Sequence, residues 1–144
     1  MKRQAALVAA ARRARARAYA PYSRFQVGAA VRTRSGRVYT GCNIENASYG
    51  LTLCAERVAL FKAVSEGERE FDAVAVVTGA DSVTPPCGAC RQILWEFCGD
   101  VEVLMANVDG KSELHRMSEL LPAPFGRQSL EAAARRQPKK RRRG

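Results

Sequence analysis

The apolar positions change period several times along the chain, and each change marks an element. Within Met1–Ala20, Leu7, Val8, Ala11, Ala14 and Ala18 recur at near-helical spacing while Arg12, Arg13, Arg15 and Arg17 occupy other faces, as a docked surface helix requires. Ala20-Pro21-Tyr22-Ser23 ends that period. Phe25–Val31 and Val38–Ile44 follow as a β-hairpin with its turn near Ser35-Gly36. Helical spacing returns over Leu53–Val64, carried by Val58, Leu60, Phe61 and Val64. Phe71–Thr78 is a continuous apolar run suited to a buried strand, and Pro86–Phe97 reads as a helix opened by proline. Val101–Ala106 predicts another strand, the Asp109-Gly110 turn leads to a short final one, and Ser129–Arg136 is a last helix. The order is mixed α/β and holds no internal repeat.

At 144 residues the chain is the size of one compact domain. Its net charge of +10 suggests a nucleic-acid partner until the charges are located. Arg135, Arg136, Lys139, Lys140, Arg141, Arg142 and Arg143 hold seven of the ten, and the rest of the chain carries only +3. We therefore divide the sequence into a folded unit, residues 1–134, and a basic tail, residues 135–144, too polar to bury a core and expected to stay unfolded. Such a tail suits weak, nonspecific contact with polyanions. No apolar run approaches the roughly 20 residues that span a bilayer, and no secretory signal is evident, so the expectation is a cytoplasmic protein without a membrane partner. The acid-free, Arg- and Ala-rich first twenty residues also have the composition of an organellar targeting peptide, although their apolar spacing favours a packed helix.

Five cysteines, an odd number, fit a secreted disulfide framework poorly and fit reduced thiolates on a metal well. Cys54-Ala55-Glu56 and Pro86-Cys87-Gly88-Ala89-Cys90 together complete the Cys-x-Glu and Pro-Cys-x-x-Cys pattern of zinc deaminases in its all-cysteine form. Catalytic zinc takes three protein ligands and leaves its fourth position to water, and Cys54, Cys87 and Cys90 count to three. Glu56, two residues beyond the first ligand, is placed to carry protons without occupying the metal. Three thiolates leave Zn²⁺ with a formal charge of −1, which works against acidifying water. The positive ends of two helices, each about half a charge, and a hydrogen bond from Arg57 to a thiolate would offset that.

Further blocks carry a family resemblance: Ala18-Tyr19-Ala20-Pro21-Tyr22-Ser23, Phe25-Gln26-Val27-Gly28-Ala29-Ala30, Gly41-Cys42-Asn43-Ile44-Glu45-Asn46-Ala47, Cys54-Ala55-Glu56-Arg57 and Pro86 to Gln92. From the first helix to Leu120-Leu121-Pro122 the chain resembles the small, homotetrameric, zinc-dependent cytidine deaminases. The resemblance implies a three-layer αβα sandwich around a mixed five-stranded sheet, one Zn²⁺ per chain, and deamination of cytidine and deoxycytidine to uridine and deoxyuridine in pyrimidine salvage. It implies that Asn43 and Glu45 hold the ribose 3′-hydroxyl, that Phe25 packs on the pyrimidine, and that the Ala55 N–H fixes its O2. Ala47 and Tyr49 resemble residues near the ribose 5′ end of an adjacent subunit's substrate. Phe125 resembles an aromatic reaching in from another subunit, although Pro124 beside it departs from the family's usual wording.

Three rival readings use the same residues, of which a polynucleotide deaminase is disfavoured because the sole histidine is far from the motif and little extra chain is left for a strand-binding groove. A deaminase for another aminopyrimidine, such as a nucleoside antibiotic related to blasticidin, would share the zinc kit but not the need for Glu45. A structural-zinc, nucleic-acid-binding protein would need a fourth ligand, and Cys42 and Cys98, in a strand and at an apolar helix end, read as small buried hydrophobes. His115, the sole histidine, lies far from the motifs and reads as an ordinary, partly exposed residue.

Overall fold

The computed structural model describes residues 2–136. Helix α1 spans Lys2–Arg15, strand β1 Val27–Thr33 and strand β2 Val38–Cys42. Helix α2, Ala55–Ser65, and strand β3, Phe71–Thr78, follow. Helix α3 is Gly88–Cys98, strand β4 Glu102–Asn107 and strand β5 Ser112–Arg116. A short helix α4, Met117–Leu120, and helix α5, Arg127–Arg136, complete the described chain. The basic segment beyond Arg136 lies outside the described residues, while Arg135 and Arg136 form the last turn of α5.

The strands form one sheet in the order β2-β1-β3-β4-β5. Only β3 and β4 run parallel, joined through α3, so the sheet is mixed, as expected. Side-chain alternation along each strand feeds two separate cores. Ala30, Ala73, Ala75, Val77, Leu104 and Ala106 pack against Leu7, Ala10 and Ala11 of α1. On the opposite face Ala29, Val31, Val74, Val76, Val103 and Met105 meet Ala55, Ala59, Leu60 and Ala63 of α2, Leu94 of α3 and Met117 of α4. Helix, sheet and helix therefore make three layers. Burial of the α1 stripe agrees with the docked helix that its spacing predicts.

The boundaries differ where tertiary contacts override periodicity. Helix α1 stops at Arg15, not Ala20, because Tyr19 is drawn into a parallel bridge with Ile44: its N–H donates to Asn43 O and its carbonyl accepts from Glu45 N, each at 2.9 Å. Proline does not open α3; Pro86 precedes the cap and the first helical residue is Gly88. The hairpin turn falls where expected, with Gly36 at φ +95° and its N–H donating to Thr33 O at 3.0 Å.

Candidate metal centre and adjoining cavity

One end of the sheet gathers the site, because β1 begins there and β2 and β3 end there. Cys54 and Cys87 stand at the N-caps of α2 and α3, each with extended backbone dihedrals, and Cys90 lies in the first turn of α3. Cys54 is thus a cap, one step outside the helical turn that its spacing predicts. The three Sγ atoms lie within 4.8 Å of one another, with Cys54 and Cys87 4.0 Å apart. Sulfurs placed tetrahedrally at about 2.3 Å from zinc stand about 3.8 Å apart. The donor set therefore fits one Zn²⁺, and among the described residues no fourth histidine, cysteine or carboxylate joins the group. Cys42 and Cys98 stand elsewhere, and burial pushes the Cys98 thiol up to about 12.

The thiols sit in a positive setting. The Cys90 N–H donates to Cys87 Sγ at 3.5 Å, and Arg57 Nη2 donates to Cys54 Sγ at 3.2 Å and to Thr52 O at 3.5 Å. A hydrogen bond from the Cys90 thiol, aided by the Arg57 guanidinium, pulls the Cys54 thiol well below its ordinary range despite burial. The same shared bond, with burial and the Glu56 charge, pushes Cys90 up. Glu56, 4% exposed, has its carboxyl raised first by burial and then by the Cys54 charge.

A cavity of about 230 Å³ opens beside the thiols. Cys54, Ala55, Glu56 and Cys87 line it together with Phe25, Asn43 and Glu45. Asn43 Oδ1 accepts from Val27 N at 2.9 Å and its Nδ2 donates to Phe25 O at 2.7 Å, which fixes the backbone on either side of Gln26. Glu45 Oε1 accepts from the N–H groups of Tyr22 and Ser23, each at 3.0 Å, and its second oxygen accepts from Ser23 Oγ. Those bonds, the Ser23 hydroxyl first, lower the Glu45 carboxyl and keep it anionic.

Ala47, Tyr49 and Phe125 do not line this cavity. Ala47 is exposed, and Phe125 is 58% exposed, its carbonyl accepting from Gln92 Nε2 at 2.6 Å. Tyr49, 73% exposed, lies edge-on to Tyr22 at 6.0 Å and lines a neighbouring depression with Tyr22, Ser23, Glu45 and Thr52 of the same chain. Sequence reasoning missed Ser23, Thr52, Thr78, Thr84 and Pro85, which also line the cavity. Thr84-Pro85 directly precedes the Pro86-Cys87 motif, and that adjacency was the available signal. His115 pairs with Glu113 and Glu119 at 3.0 and 3.1 Å, away from the thiols.

The family model of the cytidine and deoxycytidylate deaminase zinc-binding region matches residues 1–106. The chain belongs to this deaminase family. It is 55% identical over 120 residues to a cytidine deaminase of Halalkalibacterium halodurans, covering 83% of this chain and 91% of that one. A cytidine deaminase of Sporosarcina psychrophila is 49% identical over 129 residues, 89% of this chain and 95% of the relative. Among solved structures, the cytidine deaminase of Burkholderia pseudomallei superposes with a TM-score of 0.81 at 50% identity, covering 84% of this chain and 98% of that one. Membership of the deaminase family agrees with the zinc-binding donor set and with the three-layer fold described above.

Proposed function

We infer that the chain is a zinc-dependent hydrolase that deaminates cytidine and deoxycytidine to uridine and deoxyuridine with release of ammonia. The observation that carries this reading is one cavity lined by Cys54, Glu56 and Cys87 together with Phe25, Asn43 and Glu45. Its volume, about 230 Å³, lies below the roughly 300–1,000 Å³ of drug-sized pockets and suits a single base, with the sugar toward the mouth.

Cys54, Cys87 and Cys90 hold the metal. Zinc, when bound there, supplies the acidity that makes water a nucleophile near neutral pH. Glu56 carries the protons. Water adds to C4 of the pyrimidine while Glu56 accepts a proton from it and delivers that proton to N3. Glu56 then relays the second proton to the C4 amine, the C4–N bond breaks, ammonia leaves and C4 keeps the oxygen. Proton transfer by a positioned group contributes about 10²–10⁴ in rate, and burial holds Glu56 in one place for it.

Phe25 packs on the pyrimidine and the Ala55 N–H fixes O2. A carboxylate has about four lone-pair sites; Glu45 uses three, leaving one for a ribose hydroxyl. Asn43 likewise keeps one N–H and one lone pair for the sugar. The sequence offers no clear group to distinguish ribose from deoxyribose, so both nucleosides are expected to be accepted. The same reading assigns a cytoplasmic homotetramer serving pyrimidine salvage, in which Ala47, Tyr49 and Phe125 serve a neighbouring subunit's site. In keeping with it, no helix of the described residues is long and apolar enough to cross a membrane. The basic tail contributes weak polyanion contact.

An ultraviolet assay of the zinc-loaded protein with cytidine, deoxycytidine, cytosine, cytidine monophosphate and blasticidin S tests the assignment. Turnover of the two nucleosides is expected. Activity confined to free cytosine or to the antibiotic would overturn it.

A further inference from the structure

Asn107 has no exposed surface at the carboxyl end of β4, where it pairs in register with Thr78. A buried amide is costly unless its donors and acceptors are met, and here all are in use. Its Nδ2 donates to the carbonyls of Ala80 and Asp81, both at 3.1 Å, and its Oδ1 accepts from the N–H groups of Asp109 at 3.1 Å and Lys111 at 2.9 Å. Its own carbonyl accepts from Arg12 Nη2 at 3.3 Å. Lys111 Nζ adds a further donor to Asp81 O at 2.7 Å. One side chain therefore ties the β4–β5 turn to residues 79–86, the stretch between β3 and Cys87.

That stretch supplies Thr84 and Pro85 to the cavity wall, whereas Asn107 lines none of it. Its near end is held by Thr78 Oγ1, which accepts from Ala80 N at 3.4 Å and lies 3.1 Å from Thr84 Oγ1. Helix α3 has anchors of its own, since Arg91 donates to Pro86 O at 2.7 Å and to Leu120 O at 2.8 Å. Loosening residues 79–86 would thus displace the wall at Thr84 and Pro85 more than it displaces Cys87 and Cys90.

We propose that Asn107 is a positioning residue for the nucleoside: by fixing residues 79–86 from behind, it holds Thr84 and Pro85 as the wall against which the substrate packs. The inference rests on the deaminase reading above for the identity of that substrate. Its signature is a loss of binding with the metal and the chemical step retained.

Asn107→Asp keeps the size and both acceptor contacts and removes both donors. In the zinc-loaded variant KM for cytidine rises about tenfold with kcat within about threefold, the pattern of lost uniform binding. Zinc content stays at the wild-type value, and hydrogen–deuterium exchange quickens over residues 79–86. Lys111→Met, at an exposed position, removes only the contact to Asp81 and raises KM about twofold in the same way. It decides the matter should the first variant not fold. Unchanged KM and exchange would overturn the proposal, as would kcat and zinc content falling together at constant KM. Failure of the wild-type protein to deaminate cytidine would instead sink the substrate reading, and the exchange measurement would still report whether Asn107 fixes the loop.

Discussion

Glu56 combines two properties that oppose each other in an ordinary carboxylate. It is buried, which disfavours its charge, yet it sits in the first turn of α2, where the helix dipole and Arg57 favour negative charge. Burial and the Cys54 charge outweigh these and raise the carboxyl, so it accepts a proton more readily than an exposed carboxylate, which suits a proton carrier. Glutamine has the same shape and cannot carry a proton. Glu56→Gln is therefore expected to keep the fold and one zinc per chain while losing at least about a hundredfold in turnover. Metal analysis, circular dichroism and the ultraviolet assay on one preparation check this; substantial turnover by a zinc-replete variant would remove Glu56 from its role.

The elements decide where such residues stand, and Gly41 shows how narrowly. A Cβ at Gly41 would lie 2.5 Å from Ala59 N and 2.8 Å from Ala55 O, both backbone atoms of α2. Backbone cannot swing aside as a flexible side chain does, so Gly41→Ala must push α2, and with it Cys54 and Glu56, away from the sheet. Overpacking of this kind costs about 1–3 kcal/mol. We expect a lowered melting temperature together with a drop in kcat/KM measured well below it, beyond what the folded fraction accounts for; full kcat/KM in a folded variant would show that α2 tolerates the shift. The sequence made the sheet and its flanking helices legible because their patterns are local: the β3 run, the Ser35-Gly36 turn and the α1 stripe each signal themselves. The three thiols that could hold one metal ion were legible for the same reason, as short motifs at helix starts. What escaped was set by contacts between distant segments. The bridge of Tyr19 to Ile44 shortens α1, Cys54 and Cys87 become caps, and Thr84 joins the cavity through Thr78. No periodicity reports such pairings.

At the scale of the whole molecule, the described chain leaves its C-terminal part with little to pack on. Helix α5 has no buried residue, and Leu130 and Phe125 are exposed. Apolar groups displayed in this way suit a neighbouring subunit. If Phe125 serves a neighbour's cavity in a homotetramer, two crippled chains should repair each other. Phe125→Ala retains Glu56 but gives its neighbour no ring, and Glu56→Gln retains the ring but has no proton carrier. In an equal, randomly assembled mixture, about half of the sites bearing Glu56 would receive a phenylalanine from a partner, so activity should rise well above the sum of the two variants alone. Co-expression of the two chains, purification of the mixed assembly and comparison with each parent measures this. If Phe125 acted only within its own chain, mixing would restore nothing, because no chain in the mixture carries both Phe125 and Glu56.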